Sequence, residues 1–295
     1  FLTGLLPTFS GLMFTTLVMS FGFHYFETTN QSLTLQYFDQ VTSPLVFAQQ
    51  RSYAAAANVV VGILIFIIAP YMTYTAMYII FGTLIVGGGC WALSKDPVKK
   101  GLVPQKKELV FKKQYWLFYF LTFMAGARRQ IFIAFAVFLL VKKFGFTVQQ
   151  ITVLFLLNNV INYFINPYIG KFIVRWGERR LLSLEYFCLI IVFISYAYID
   201  SKLMVAILYI LDHIFFNFAI GIKTYFQKIA NPEDIAPSMA VGFTINHIAA
   251  VVLPVVGGLL WMVDYKIPFL AGALFSFISL CLVQQIKTPE PAQPV

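Results

Sequence analysis

The groups best able to do chemistry in this chain are charged and amide side chains set inside apolar runs, where an unpartnered charge is costly. Arg128 and Arg129 stand side by side in Gly126-Ala-Arg-Arg-Gln130. Neighbouring positions on a helix point about 100° apart, so at least one of the two must face the protein interior. A guanidinium stays charged and offers a planar fork of donors. It therefore suits a carboxylate or phosphate on a solute, or a permanent partner such as Glu27 or Asp212. Ser20, His24, Glu27 and Gln31 recur at i, i+4, i+7 and i+11, which makes one helical stripe. Asn158, Asn162 and Asn166 form a second stripe, with Asn159 beside it; such amides bind a polar solute or hold helices together. Asp212-His213 with Asn217 and Thr224, and Thr244, Asn246 and His247, complete the set. Histidine and a shielded carboxyl group are the side chains suited to carrying a proton. The spacing of His24 and Glu27 would also allow two metal ligands on one face, but two nearby arginines oppose a cation. We therefore assign no metal site.

The elements that must position these groups follow from composition. Of 295 residues, 60% are hydrophobic, 18% aromatic and only 11% charged. Soluble domains carry roughly a quarter charged residues, so disordered chains and ordinary soluble enzymes are excluded. The apolar runs are too long for a porin-type barrel, whose segments alternate over about ten residues. The expected fold is all-α, a polytopic membrane bundle of about nine transmembrane helices. Their expected spans are 8–36, 52–70, 74–94, 116–141, 147–168, 181–199, 203–223, 238–262 and 267–286, each long enough to cross about 30 Å of hydrocarbon. Pro44, Pro70, Pro104, Gly145, Gly177, Pro232 and Pro237 mark the junctions. Cys90, Cys188 and Cys281 sit singly in apolar runs and indicate no disulfide framework.

The net charge of +9 lies in short loops, which argues against nucleic acid and for membrane orientation. Arg51, seven lysines from Lys95 to Lys113, Lys171, Arg175, Arg179, Arg180, Lys223, Lys228 and Lys287 fall on one side. Lys142, Lys143, Lys202 and Lys266 fall on the other. Fifteen against four places the first side, and the C-terminus, in the cytoplasm of a multi-pass cell-membrane protein. The basic linker 95–115 is either a solvated loop near anionic lipid or the joint between two halves. The expected organisation is residues 1–94 with three spans, the linker, residues 116–287 with six, and a cytoplasmic tail at 288–295.

Gly170, Arg175, Gly177, Arg179 and Arg180 occur in Gly170-Lys-Phe-Ile-Val-Arg-Trp-Gly-Glu-Arg-Arg180. This stretch resembles the G-x-x-x-D-R-x-G-R-R loop of the major facilitator superfamily, with Val174 at the acidic position. Glycines there let helix ends approach, and arginines can bond helix C-terminal carbonyls, which makes a latch for cytoplasmic gating. The resemblance implies a two-half transporter whose first three helices are absent here. It makes the first and seventh spans helices four and ten, which line the cavity in that family. Each carries a histidine beside an acid: His24 with Glu27, and Asp212 with His213. These four are the expected proton-coupling residues. Glu185 is expected to be structural, paired with Arg179 or Arg180.

No nucleotide-binding loop, nucleophile elbow or zinc-hydrolase signature occurs, so an enzyme is not expected and no cofactor is assigned. The expected function is secondary active transport, driven by protons, of a small polar or anionic solute. The substrate ligands would be Arg128, Arg129, Asn158, Asn162, Asn217 and His247. The expected partners are that solute, protons and the lipid bilayer, with the protein a monomer. The alternatives are a non-transporting receptor or scaffold, an intramembrane enzyme, or a divalent-metal carrier. Uptake into vesicles separates the carriers from the rest.

Overall fold

A computed structural model describes residues 1–95 and 101–287. Lys99 and Lys100 of the basic linker, and the expected tail at 288–295, lie outside the described residues. Among those described there is no strand. After a short α1 (Leu2–Leu5) come α2 (Phe9–Tyr37), α3 (Thr42–Ile68) and α4 (Tyr74–Leu93). Past the linker follow α5 (Trp116–Ile131), a π-helical turn at Phe132–Ala136, and α6 (Val137–Lys142) in one rod. Then come α7 (Val148–Tyr198), α8 (Lys202–Phe216), a 3₁₀ turn at Asn217–Ala219, α9 (Ile220–Ile229), α10 (Ile235–Val263) and α11 (Lys266–Val283).

Among the described residues seven helical stretches are long and apolar enough to cross a bilayer. One of these, α7, is two rods that meet at Gly177, whose φ of 77° is a left-handed conformation open to glycine at little cost. With α7 counted as two and the more polar 29-residue α2 added, the bundle has about nine membrane-length rods. This is the expected all-α polytopic architecture.

Two boundaries differ from expectation. The second span begins at Thr42, not residue 52, because Pro44 stands in the first turn of α3. There its missing N–H costs no helical bond, so it permits the helix it was read as ending. Pro237 sits in the same way near the start of α10. The expected loop Gly170–Arg180 is also helical, apart from the break at Gly177.

Packing follows membrane rules, in which small residues let helices approach. α3 runs against the first rod of α7. Gly170 meets Ala48 and the Pro44 carbonyl, where an added Cβ would lie 2.8 Å and 2.9 Å from them. Further along, Ser52 Oγ donates to the Tyr163 carbonyl at 2.5 Å, and Asn58 Nδ2 to Asn159 Oδ1 at 3.0 Å. The apolar core lies mainly among α5 to α11, whereas α3, α4 and α10 turn many large apolar side chains outward, as lipid contact requires.

The basic end of the bundle is cross-tied. Asp234, fully buried, accepts from Lys106 Nζ at 2.8 Å, from Tyr115 Oη at 2.8 Å and from Lys112 Nζ. Gln105 bridges the Pro232 carbonyl and the Ala236 N–H, both at 2.8 Å. Residues 105–115 of the linker are thus fastened to the start of α10 rather than solvated throughout. Gln227 Nε2, near the end of α9, donates to the Leu35 and Phe38 carbonyls at the end of α2. At the opposite end Lys143 pairs with Asp200 at 2.7 Å. That contact holds the Asp200 carboxyl below its ordinary value.

Candidate functional site

The helices enclose a cavity of about 470 Å³, a size suited to a small solute. α2 contributes Glu27 and Gln31, α3 Arg51, α5 Arg129 and Gln130, α7 Asn162, α8 His213, α9 Lys223, and α10 Asn246 and His247. The π-helical turn supplies Phe132 and the 3₁₀ turn supplies Asn217. Both irregular turns stand at the cavity wall, where departures from α-helix often mark function.

A polar chain links α3, α7 and the end of α8. Arg51 Nη1 donates to Asn217 Oδ1 at 2.9 Å. Asn217 Nδ2 in turn donates to Asn162 Oδ1 at 3.0 Å and to the His213 carbonyl at 3.1 Å. Glu27 accepts from Gln31 within its own helix and lies within electrostatic reach of Arg51, Arg129 and Lys223. Among the described residues the wall therefore carries three basic side chains and one carboxyl group. Two of those basic residues, Arg51 and Lys223, enter the sidedness count as orientation signals, Arg51 just before the expected span 52–70 and Lys223 at the end of 203–223. Their places inside helices withdraw them from that count, leaving thirteen against four.

The adjacent arginines divide. Arg129 faces the cavity. Arg128 is fully buried behind it, donates to Ser279 Oγ, lies 3.8 Å from Glu185 and has its guanidinium 4.4 Å from the Tyr186 ring centre. Glu185 thus pairs with Arg128, not with Arg179 or Arg180. It points into the bundle, whereas Arg179 donates to Gln284 Oε1 at 3.2 Å. Asp212 and His213 also diverge, being adjacent on α8. His213 lines the cavity, while Asp212 is buried within electrostatic reach of Arg128 and Tyr196. The two do not form an acid–histidine pair.

His24 meets His247 across α2 and α10, with ring centres 4.2 Å apart. Each Nδ1 lies against a carbonyl, that of Ser20 at 2.6 Å and that of Phe243 at 2.8 Å. A carbonyl only accepts, so each neutral ring keeps its proton on Nδ1 and leaves Nε2 free. Of the asparagine stripe only Asn162 reaches the cavity. Asn158 and Asn166 are buried against neighbouring helices.

The expected gating residues frame the kink in α7. Gly170 and Gly177 have the roles given above, Arg179 and Arg180 border a surface hollow with Ser183 and Gln284, and Arg175 lies one turn before them. Between Arg179 and Gly177, Glu178 is buried and takes Lys228 of α9 at 2.8 Å.

No curated protein matches the chain individually at a significant level. The family profile described as Major Facilitator Superfamily matches residues 1–227. That match runs through α1 to α9, including every cavity wall but α10. Together with the helical bundle and its central polar cavity, it shows that this chain is a membrane transporter belonging to the major facilitator superfamily.

Proposed function

We propose that the protein is a secondary active carrier of a small anionic solute, with the solute seated between Arg51, Arg129 and Lys223. The observation that supports this is the charge of the cavity wall, three basic side chains to one carboxyl group among the described residues. A cavity with that surplus, set within a low-dielectric helix bundle, favours an anion and opposes a divalent metal. Asn162, Asn217, Asn246 and His247 supply neutral contacts to the rest of the solute. Arg128 contributes by holding the wall behind Arg129.

Proton movement is the proposed driving force, with Glu27 and His213 at the cavity and Asp212 behind it. The basic end, with its linker and the Gly170–Arg180 segment, faces the cytoplasm of the cell membrane, and the carrier acts as a monomer. Reconstitution into liposomes tests this reading. Radiolabelled monocarboxylates, dicarboxylates and inorganic phosphate are offered with and without an imposed pH gradient. Accumulation of one class that a protonophore abolishes is the expected result. Uptake of cations alone, or of none of these probes, overturns the reading.

A further inference from the structure

One ionisable cluster lies outside the cavity. Behind the wall formed by α5, the side chains of Arg128, Glu185 and Asp212 are all fully buried. Among the described residues neither carboxylate oxygen of Glu185 nor of Asp212 has a hydrogen-bond donor, and Nε and Nη2 of Arg128 have no acceptor. Among the described residues the hydroxyl of Tyr196 beside them is also unpartnered. Such a collection of unmet polar atoms is uncommon in a folded core and asks for a ligand.

The charge count identifies the ligand. α5 contributes Arg128, while Arg129 turns to the cavity. α7 contributes Glu185, Tyr186 and Tyr196, and α8 contributes Asp212 and Tyr209. α11 offers only the uncharged Ser279. Arg51 of α3 reaches Glu185 electrostatically from the cavity side, where it also faces Glu27 and is bonded to Asn217. Inside the cluster one guanidinium therefore stands against two carboxyl groups. Both acids ionised would leave an uncompensated charge in a low-dielectric core, which is the costly arrangement. A single added proton brings the cluster to neutrality.

We propose that Glu185 and Asp212 together hold one exchangeable proton over Arg128, behind the substrate cavity rather than in it. On loading, a hydronium ion gives its proton to one carboxylate oxygen, an O–H bond forms and water leaves. Release is the reverse. The cluster is linked to the cavity through Arg51, which stands at the cavity wall and within electrostatic reach of Glu185. The inference rests on the reading of the chain as an ion-driven carrier, and names where the ion sits.

The test is infrared spectroscopy of the protein in lipid at neutral pH, which needs no substrate. A protonated carboxyl group gives a C=O stretch that shifts in deuterium oxide and is distinct from the carboxylate bands. The wild type should show this band, and Glu27→Gln should keep it. Asp212→Asn and Glu185→Gln should each abolish it, because the remaining acid is then neutralised by Arg128 alone. If one variant fails to fold, the other decides. Absence of the band in the wild type, its survival in either of those variants, or its loss only in Glu27→Gln would overturn the proposal. Failure of gradient-driven uptake with these spectra intact would count against the carrier reading and not against the proton site.

Discussion

The guanidinium of Arg51 donates to the side-chain oxygen of Asn217 at 2.9 Å, joining residues 166 positions apart in the chain. The bond ties the middle of α3 to the 3₁₀ turn between α8 and α9, at the wall of the cavity. On the proposed reading, an anion entering the cavity meets this arginine already oriented, which reduces the ordering cost of binding. It also competes with Asn217 for the same donors, so substrate binding and helix contact are linked.

Arg51→Lys should weaken substrate binding by about 1.5–3 kcal/mol, the scale of a hydrogen bond to a charged group, because lysine keeps charge but loses the fork. Asn217→Ala should change affinity less and alter the rate of solute exchange more. Equilibrium binding of the transported anion, measured beside exchange rates, checks both. Unchanged affinity in Arg51→Lys would remove Arg51 from the substrate site.

The divided arginine pair gives a contrast between neighbours. Arg129→Gln should lower affinity for the anion while the protein still folds. Arg128→Gln should lower the yield of folded protein, because it leaves the buried Glu185 without its cation, a loss of about 3–5 kcal/mol. Size-exclusion profiles and binding on the same preparations separate the effects. Equal losses of binding at equal folding yield would contradict the division.

The proposed sidedness is tested with single cysteines. Lys107→Cys and Lys142→Cys both present exposed positions, one near each end of the bundle. An impermeant maleimide applied to intact cells should label position 142 and spare position 107. Labelling at 107 would invert the topology.

Gly177 joins the two rods of α7 at φ 77°. Gly177 combines this φ with an extended ψ of 162°, a region open essentially only to glycine, so Gly177→Ala and Gly177→Asn should each cost roughly 1–3 kcal/mol. Thermal unfolding in detergent should place both variants below the wild type, with no rescue by asparagine.

Asp200 gives the pH dependence its sign. The hydrogen bond and charge of Lys143 hold its carboxyl below the ordinary 3.8. The pair therefore adds stability above that value and loses it as pH falls through the lowered one. The site is exposed, so the effect is small and weakened by salt. Acid unfolding of the wild type and Asp200→Asn should differ near neutral pH and converge in acid. A difference that grows in acid would have the wrong sign.

Composition and run length alone determined the bundle, because a chain with so few charges and apolar runs of membrane length must satisfy its backbone within helices. The family was legible in Gly170–Arg180, and the polar stripes were legible as stripes. What each stripe faces was decided only by packing. Helical periodicity fixes the angle between Arg128 and Arg129, or between Asp212 and His213, but leaves open the rotation of the helix in the bundle. Tertiary contacts with α7 and α11 set that rotation and sent one member of each pair to the cavity and the other to the buried cluster. Arg51 was hidden for another reason: proline both ends helices and begins them, and at Pro44 only the position of its neighbours in space separates the two. Lys223 and Glu185 likewise took their roles from partners far away in sequence, which local pattern does not encode.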